Sequence, residues 1–145
     1  MEVFVKRFYE LSCDELYEIM KVRVNVFVVE QKCPYPELDD IDKRAYHVYI
    51  KDKEEIVAYL RVFDENEIRL GRVLSTRRRQ GLGTKVLEEG IKVAKEKLNA
   101  NQIVIEAQVY AKELYEKLGF VQISDEFLED GIPHIKMELE IKSCN

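Results

Sequence analysis

The sequence predicts a single α/β domain built on a mixed, mostly antiparallel, twisted central sheet of about six or seven strands with helices on both faces. Three observations lead there. Two runs rich in β-branched and aromatic residues, 45–50 and 56–63, flank a polar stretch and read as a hairpin. An amphipathic helix from residue 82 to about 98 joins one strand to the continuous apolar run Ile103-Val104-Ile105, which implies a parallel crossover onto a strand covered on both faces. Finally, 145 residues, 46% hydrophobic, suffice for one core but not two, so 1–145 is expected to be one domain.

The elements follow in order. Residues 2–9 set Val3 and Val5 against Phe4 and Phe8, the alternation of a first strand. Ser12-Cys13-Asp14-Glu15 is a capping box, after which Leu16, Ile19, Met20, Arg23 and Phe27 recur at helical spacing. Arg23 thus sits on or beside the inward face, held by an ion pair or by its packed stem with the guanidinium in water. In KCPYPELDDID, Pro34 and Pro36 forbid helix interior while Glu37, Asp39, Asp40 and Asp42 gather negative charge; this is a solvated loop or a field that draws a cationic amine.

After the hairpin, Ile68, Leu70, Arg72 and Leu74 alternate with Arg69, Gly71, Val73 and Ser75. A glycine inside a strand marks a bulge or a close backbone approach, so this strand is expected to bend and open a crevice. The helix that follows presents Leu82, Val86, Leu87, Ile91, Ala94 and Leu98 on one face. A short helix carries Ala111, Leu114, Tyr115 and Leu118, with Gly119 as its left-handed cap and Tyr115 pointing inward. Residues 120–123 and 135–141 are the last strands, separated by the loop SDEFLEDGIPH.

Composition narrows the function classes. The net charge of −5 argues against a nucleic-acid surface. Apolar runs fall short of the roughly 18 to 20 residues that span a bilayer, and the alternating N-terminus is unlike a signal peptide, so no membrane partner is expected and the default location is cytoplasmic. Cys13, Cys33 and Cys144 are scattered without a CxxC pair, which fits reduced thiols rather than a disulfide framework or a metal site.

The chemistry concentrates in VLSTRRRQGLGTKV, residues 73–86, where a strand turns into a helix. The first N–H groups of a helix lack intrahelical partners, its dipole favours anions, and Gly81 and Gly83 let a ligand reach the backbone. The P-loop pattern fails, because Thr84-Lys85 is in reverse order and Arg78 stands where a glycine is needed; the dinucleotide pattern fails at Val86.

What remains is R-x-x-G-x-G, residues 78–83, together with GRVLS, the later AKELYEKLGF and the order of elements, and by these the chain resembles the GCN5-related N-acetyltransferase (GNAT) superfamily. The segments FVVEQKCPYPELDDID, HVYI, EAQ and EDGIPHIKM further resemble its ElaA-type branch. The resemblance implies the GNAT fold and an acetyl-CoA-dependent N-acetyltransferase that works by direct attack of a primary amine through a tetrahedral intermediate, with no metal. It implies that Val73, Leu74 and Ser75 lend backbone hydrogen bonds to the acetyl and pantetheine parts. Arg78, Arg79, Gln80, Gly81, Leu82, Gly83 and Thr84 would hold the pyrophosphate, Gln108 would contact pantetheine, and Tyr115 would be the general acid and a coenzyme contact.

The family pattern names no base, and the residues leave Glu30, Glu106 and His134 as candidates, with His47 behind them. Arg23, Glu37, Asp39 and His134 are candidates for acceptor binding. The acceptor is a small-molecule or peptide amine, and a cationic one if the acidic loop acts by its field. Relatives in the superfamily are often dimers, which makes a homodimer a further expectation. The competing reading is a non-catalytic acyl-CoA-binding sensor or partner module.

Overall fold

The computed structural model describes residues 1–141; Lys142 and Cys144 lie outside the described residues. Strand β1 (Glu2–Arg7) gives way to a 3-10 turn at Phe8–Glu10, so Phe8 leaves the strand to which its alternation assigned it. Helix α1 (Cys13–Arg23) starts as its capping box requires: Ser12 Oγ accepts the Glu15 N–H at 3.1 Å and the Glu15 carboxylate accepts the Ser12 N–H at 2.9 Å. The helix then widens into a π-helical segment at Val24–Glu30, a form that often accompanies functional sites.

A short helix α2 (Ile41–Arg44) leads into the hairpin of β2 (Tyr46–Asp52) and β3 (Glu55–Glu65), followed by β4 (Glu67–Ser75). Helix α3 (Leu82–Leu98) crosses to β5 (Gln102–Gln108), and α4 (Lys112–Lys117) precedes β6 (Val121–Gln122). Gly119, at φ 100°, ends α4 as expected, and the Phe120 N–H returns to the Tyr115 carbonyl at 3.1 Å. The segment expected as a plain loop contains a strand, β7 (Phe127–Glu129), that folds back on β8 (Ile132–Glu140). Asp130 and Gly131 make the turn with φ of 52° and 77°, the consecutive positive angles that suit a tight hairpin.

Among the described residues the result is an eight-stranded sheet in the order β1-β2-β3-β4-β5-β8-β6, with β7 also on β8. Each of these pairings is antiparallel except β4 with β5. Strand alternation sends Val48, Ile50 and Leu60 to the face covered by α3 and Tyr49 and Tyr59 to the face covered by α1. Close packing of α3 on β3 depends on Gly90, whose Cβ would stand 2.8 Å from the methyl carbons of Leu60. The buried side of α3 accordingly includes Gly90 and Val93, while Ile91 and Leu98 are only partly covered. Among the described residues no helix is long and apolar enough to cross a membrane.

Candidate active site

The site begins with an irregularity in β4. Tyr59 pairs with Leu74 and Arg61 with Gly71, so Leu60 alone stands opposite Arg72 and Val73. That extra residue is a β-bulge, and Arg72 makes it with a left-handed φ of 52°. Gly71, expected to mark the bend, lies one residue before it, and its role is spatial: a Cβ there would come 3.3 Å from Phe63 Cε1. The bulge also breaks the expected alternation. Leu70 packs with the α3-side core, whereas Leu74 packs with the α1-side core.

Beyond the bulge the sheet opens. Arg69 with Val104 is the one residue pairing between β4 and β5 among the described residues, and from there the parallel strands part. A cavity of about 460 Å³ fills the gap. Its wall includes Phe27 from the α1-side core as well as Leu70, Ile105 and Tyr115 from the α3-side core, so it passes through the sheet from one face towards the other.

Of the residues assigned to coenzyme, Val73, Gln108 and Tyr115 line this cavity. Leu74 is buried on the α1 side, leaving only its backbone for a ligand, and Ser75 is exposed with its hydroxyl donating to the Arg77 carbonyl at 3.0 Å. The turn 78–84 lies outside the cavity wall but next to it: Gly83 abuts Leu114, which lines the cavity, with 3.7 Å from a would-be Cβ to Leu114 Cδ2. Gly81, at φ 69°, caps α3, and no side chain caps this helix among the described residues. The first helical bond is Lys85 N–H to the Gly81 carbonyl at 3.0 Å, so the N–H groups of Leu82, Gly83 and Thr84 have no helical acceptor. Arg77 is tied to Asp52 at 2.6 Å and Glu55 at 3.2 Å, whereas Arg78, Arg79 and Gln80 are exposed.

Tyr115 is 6% exposed and meets Phe120 edge-on at 5.8 Å. Burial, with a smaller contribution from Tyr110, pushes its phenol well above the ordinary tyrosine value, so it remains a hydrogen-bond donor at any working pH. Gln108 donates to Gln31 Oε1 at 3.4 Å, linking β5 to the end of the π-helical segment.

The candidate bases separate clearly. Glu30 is exposed at the end of the π-helical segment and is not part of the cavity wall. His47 is fully buried elsewhere, with Nδ1 2.7 Å from the Tyr59 hydroxyl and Nε2 2.8 Å from the Asp42 carbonyl; burial lowers its pKa. Glu106 and His134 both line the cavity, and between them stands Glu129, a residue that strand and helix periodicity gave no reason to select. His134 Nδ1 lies 2.7 Å from the Ile132 carbonyl, to which it donates, and this turns Nε2 towards Glu129 Oε2 at 3.5 Å. Partial burial, then the neighbouring Glu106 carboxyl and Asp130, raise Glu129 to a pKa of about 7.

The acidic loop behaves otherwise than its charge suggested. Arg23 is fully buried and donates to Glu37 Oε2 at 2.8 Å and Asp42 Oδ1 at 2.7 Å. Arg61 donates to Asp39 at 2.7 Å and Asp42 at 2.9 Å, and Arg72 to Glu37 at 3.0 Å. Glu37, Asp39 and Asp42 are therefore matched by Arg23, Arg61 and Arg72, and Asp40 is exposed with Lys43 at 3.9 Å. Such a cluster projects little field, which removes the basis for a cation drawn by this loop. Arg23, Glu37 and Asp39 are not in the cavity wall, but Arg61 and Arg72 are.

Comparison with known proteins gives a consistent result. A family model described as an acetyltransferase (GNAT) domain matches residues 15–141. A UPF0039 protein of Schizosaccharomyces pombe is 40% identical, with 97% of this chain and 98% of that one covered, and ElaA of Escherichia coli is 30% identical over 91% and 92%. Among solved structures, an acyl-CoA N-acyltransferase from Pseudomonas aeruginosa is similar with a TM-score of 0.90 and 34% identity, covering 96% of this chain and 99% of that one. The crystal structure of Escherichia coli ElaA is similar with a TM-score of 0.91 and 30% identity, covering 97% and 100%.

Proposed function

The chain belongs to the acetyltransferase (GNAT) family, in its ElaA-like branch, and from that footing we propose that it transfers the acetyl group of acetyl-CoA to a primary amine inside the cavity between β4 and β5. One observation carries the reading: a cavity opened by the parting of two parallel strands has the Tyr115 phenol in its wall, and the uncapped start of α3 lies directly behind Leu114.

The residues at that helix start suit a diphosphate. Three backbone N–H groups await acceptors, Gly81 has no atom within 4 Å of a would-be Cβ, and the exposed Arg78 and Arg79 add charge. The β4 bulge turns backbone groups of Arg72 and Val73 out of the ladder, where an N–H can stabilise the oxyanion that forms when the amine nitrogen attacks the thioester carbon. Tyr115 donates a hydrogen bond to the sulfur as the C–S bond breaks. The amine gives its proton to Glu106, Glu129 or His134, and the departing thiolate takes one proton from Tyr115, which regains it from solvent, so that the products are the amide and the free thiol. Holding donor and acceptor in one narrow gap supplies the remaining advantage.

Release of free thiol from acetyl-CoA, followed across small amines, amino acids and peptides, tests the proposal. Acceptor-dependent release supports it. Tight coenzyme binding with no acceptor-dependent release would sink it and leave a coenzyme-binding module in its place.

A further inference from the structure

The cavity wall carries charges of both signs, and they are sorted. On the β3–β4 side stand Arg61, paired opposite Gly71, and Arg69, two residues before Gly71 on the same strand. A Cβ on Gly71 would lie 3.3 Å from Phe63 Cε1 and 3.8 Å from Arg61 Nε, so the glycine lets the Phe63 ring and the Arg61 guanidinium lie close against this strand. The Arg61 side chain is 3% exposed; its terminal nitrogens are bound to Asp39 and Asp42, yet Nε has no hydrogen-bond partner among the described residues. Arg69 Nε is likewise buried without one, although its terminal nitrogens reach Glu67 at 3.1 Å and Glu106 at 3.5 Å. Buried guanidinium N–H groups are rarely left without an acceptor, and two in one wall mark a place for an anionic oxygen.

On the β5 and β7–β8 side the opposite holds. Glu106 and Glu129 face each other with Asp130 and the buried His134 close by. Two carboxyls held together repel once both are ionised, and an ammonium placed between them relieves that repulsion. The two sides meet where Arg69 and Glu106 approach to 3.5 Å, so a ligand that engages both needs its own charges only a bond or two apart.

We propose that the acceptor is an α-amino acid or a closely similar zwitterion, its carboxylate taken by the guanidinium Nε groups of Arg61 and Arg69 beside Gly71 and its ammonium by Glu106 and Glu129. This rests on the acyl-transfer reading above and names its substrate class. It also locates the cationic end of the acceptor at residues other than the acidic loop. Glu129, raised to about 7, is positioned to take the proton that the ammonium must lose before attack.

The test compares L-methionine, L-glutamine, L-lysine and L-phenylalanine with their decarboxylated amines, by thiol release from acetyl-CoA and by calorimetric binding. Each amino acid should exceed its amine in kcat/KM about tenfold to a hundredfold, the range for a hydrogen bond to a charged group. Arg69→Gln should bring that ratio towards one, and Gly71→Ala, whose Cβ presses on the Phe63 ring and lies against Arg61 Nε, should do the same without removing a charge. Equal use of amino acids and amines, or an unchanged ratio in both variants, overturns the inference. If no acceptor releases thiol but amino acids bind and Arg69→Gln abolishes that binding, the zwitterion site stands and the transfer reaction falls. If nothing binds and nothing reacts, both fall.

Discussion

Glu37 accepts a 3.0 Å hydrogen bond from the guanidinium of Arg72, the residue whose left-handed backbone makes the bulge in β4. The same carboxylate oxygen takes a 2.8 Å bond from Arg23, and the other oxygen takes one from the Tyr35 hydroxyl at 2.8 Å. A loop carboxylate thus ties helix α1 to the bulge that opens the cavity. Removing its charge leaves Arg23 buried with Asp42 as its remaining carboxylate partner, and breaking a buried pair from one side costs about 3 to 5 kcal/mol. Glu37→Gln is expected to lose about 3 kcal/mol or more in urea unfolding. A loss under about 1 kcal/mol would show that the network adds little to the fold.

Tyr115→Phe removes a hydroxyl and keeps the ring against Phe120. If the phenol assists departure of the sulfur, kcat should fall about a hundredfold while acetyl-CoA affinity changes little. Unchanged kcat would retire the assignment.

Glu129→Gln should change stability in a pH-dependent direction. The folded-state pKa of about 7 lies above the ordinary carboxyl value, so the ionised form is disfavoured by folding. That penalty is absent below the ordinary value, grows as pH rises towards about 7, and is complete above it. The groups facing Glu129 are Glu106 and Asp130, which raise it, with Arg72, which lowers it, and the His134 ring at 3.5 Å. The variant should therefore melt higher than the parent at pH 8 and show no gain at pH 4. Equal melting differences at both values would exclude the burial of Glu129 beside Glu106 as the cause.

Two glycines of α3 should respond oppositely to alanine. Gly90→Ala drives a Cβ to 2.8 Å from Leu60 and is expected to cost about 1 to 3 kcal/mol by overpacking. Gly83→Ala meets only Leu114 at 3.7 Å, so helix propensity should raise stability by up to about 1 kcal/mol, while the added methyl group weakens coenzyme affinity. Thermal melts with and without coenzyme separate the two effects.

Features written in short-range spacing were legible in the chain. The Ser12 capping box, the bounds of α3 and the Gly119 cap depend on residues within a turn of one another, and each forms as the spacing implies. The β7–β8 hairpin was missed: Asp130-Gly131 between Phe127-Leu128-Glu129 and Ile132 is its turn signal, but a segment this short and polar reads as a loop unless the turn is weighed first. The bulge was half legible. Gly71 pointed to the right strand, yet the extra residue is Arg72, because a bulge is defined by the count on the partner strand, which local sequence does not contain.

By itself, then, the sequence determined most of the element order, the caps, and a strand-to-helix turn whose first helical N–H groups are free, since each follows from backbone chemistry within a few residues. The tertiary structure decided which charges are free to act. Glu37, Asp39 and Asp42 look like an open acidic field along the chain, but folding sets Arg23, Arg61 and Arg72 against them. Glu106 and Glu129 stand apart in sequence, but strand pairing brings them to one cavity wall. Charge acts through distance and burial, and for residues far apart in the chain both are set only when the sheet is assembled.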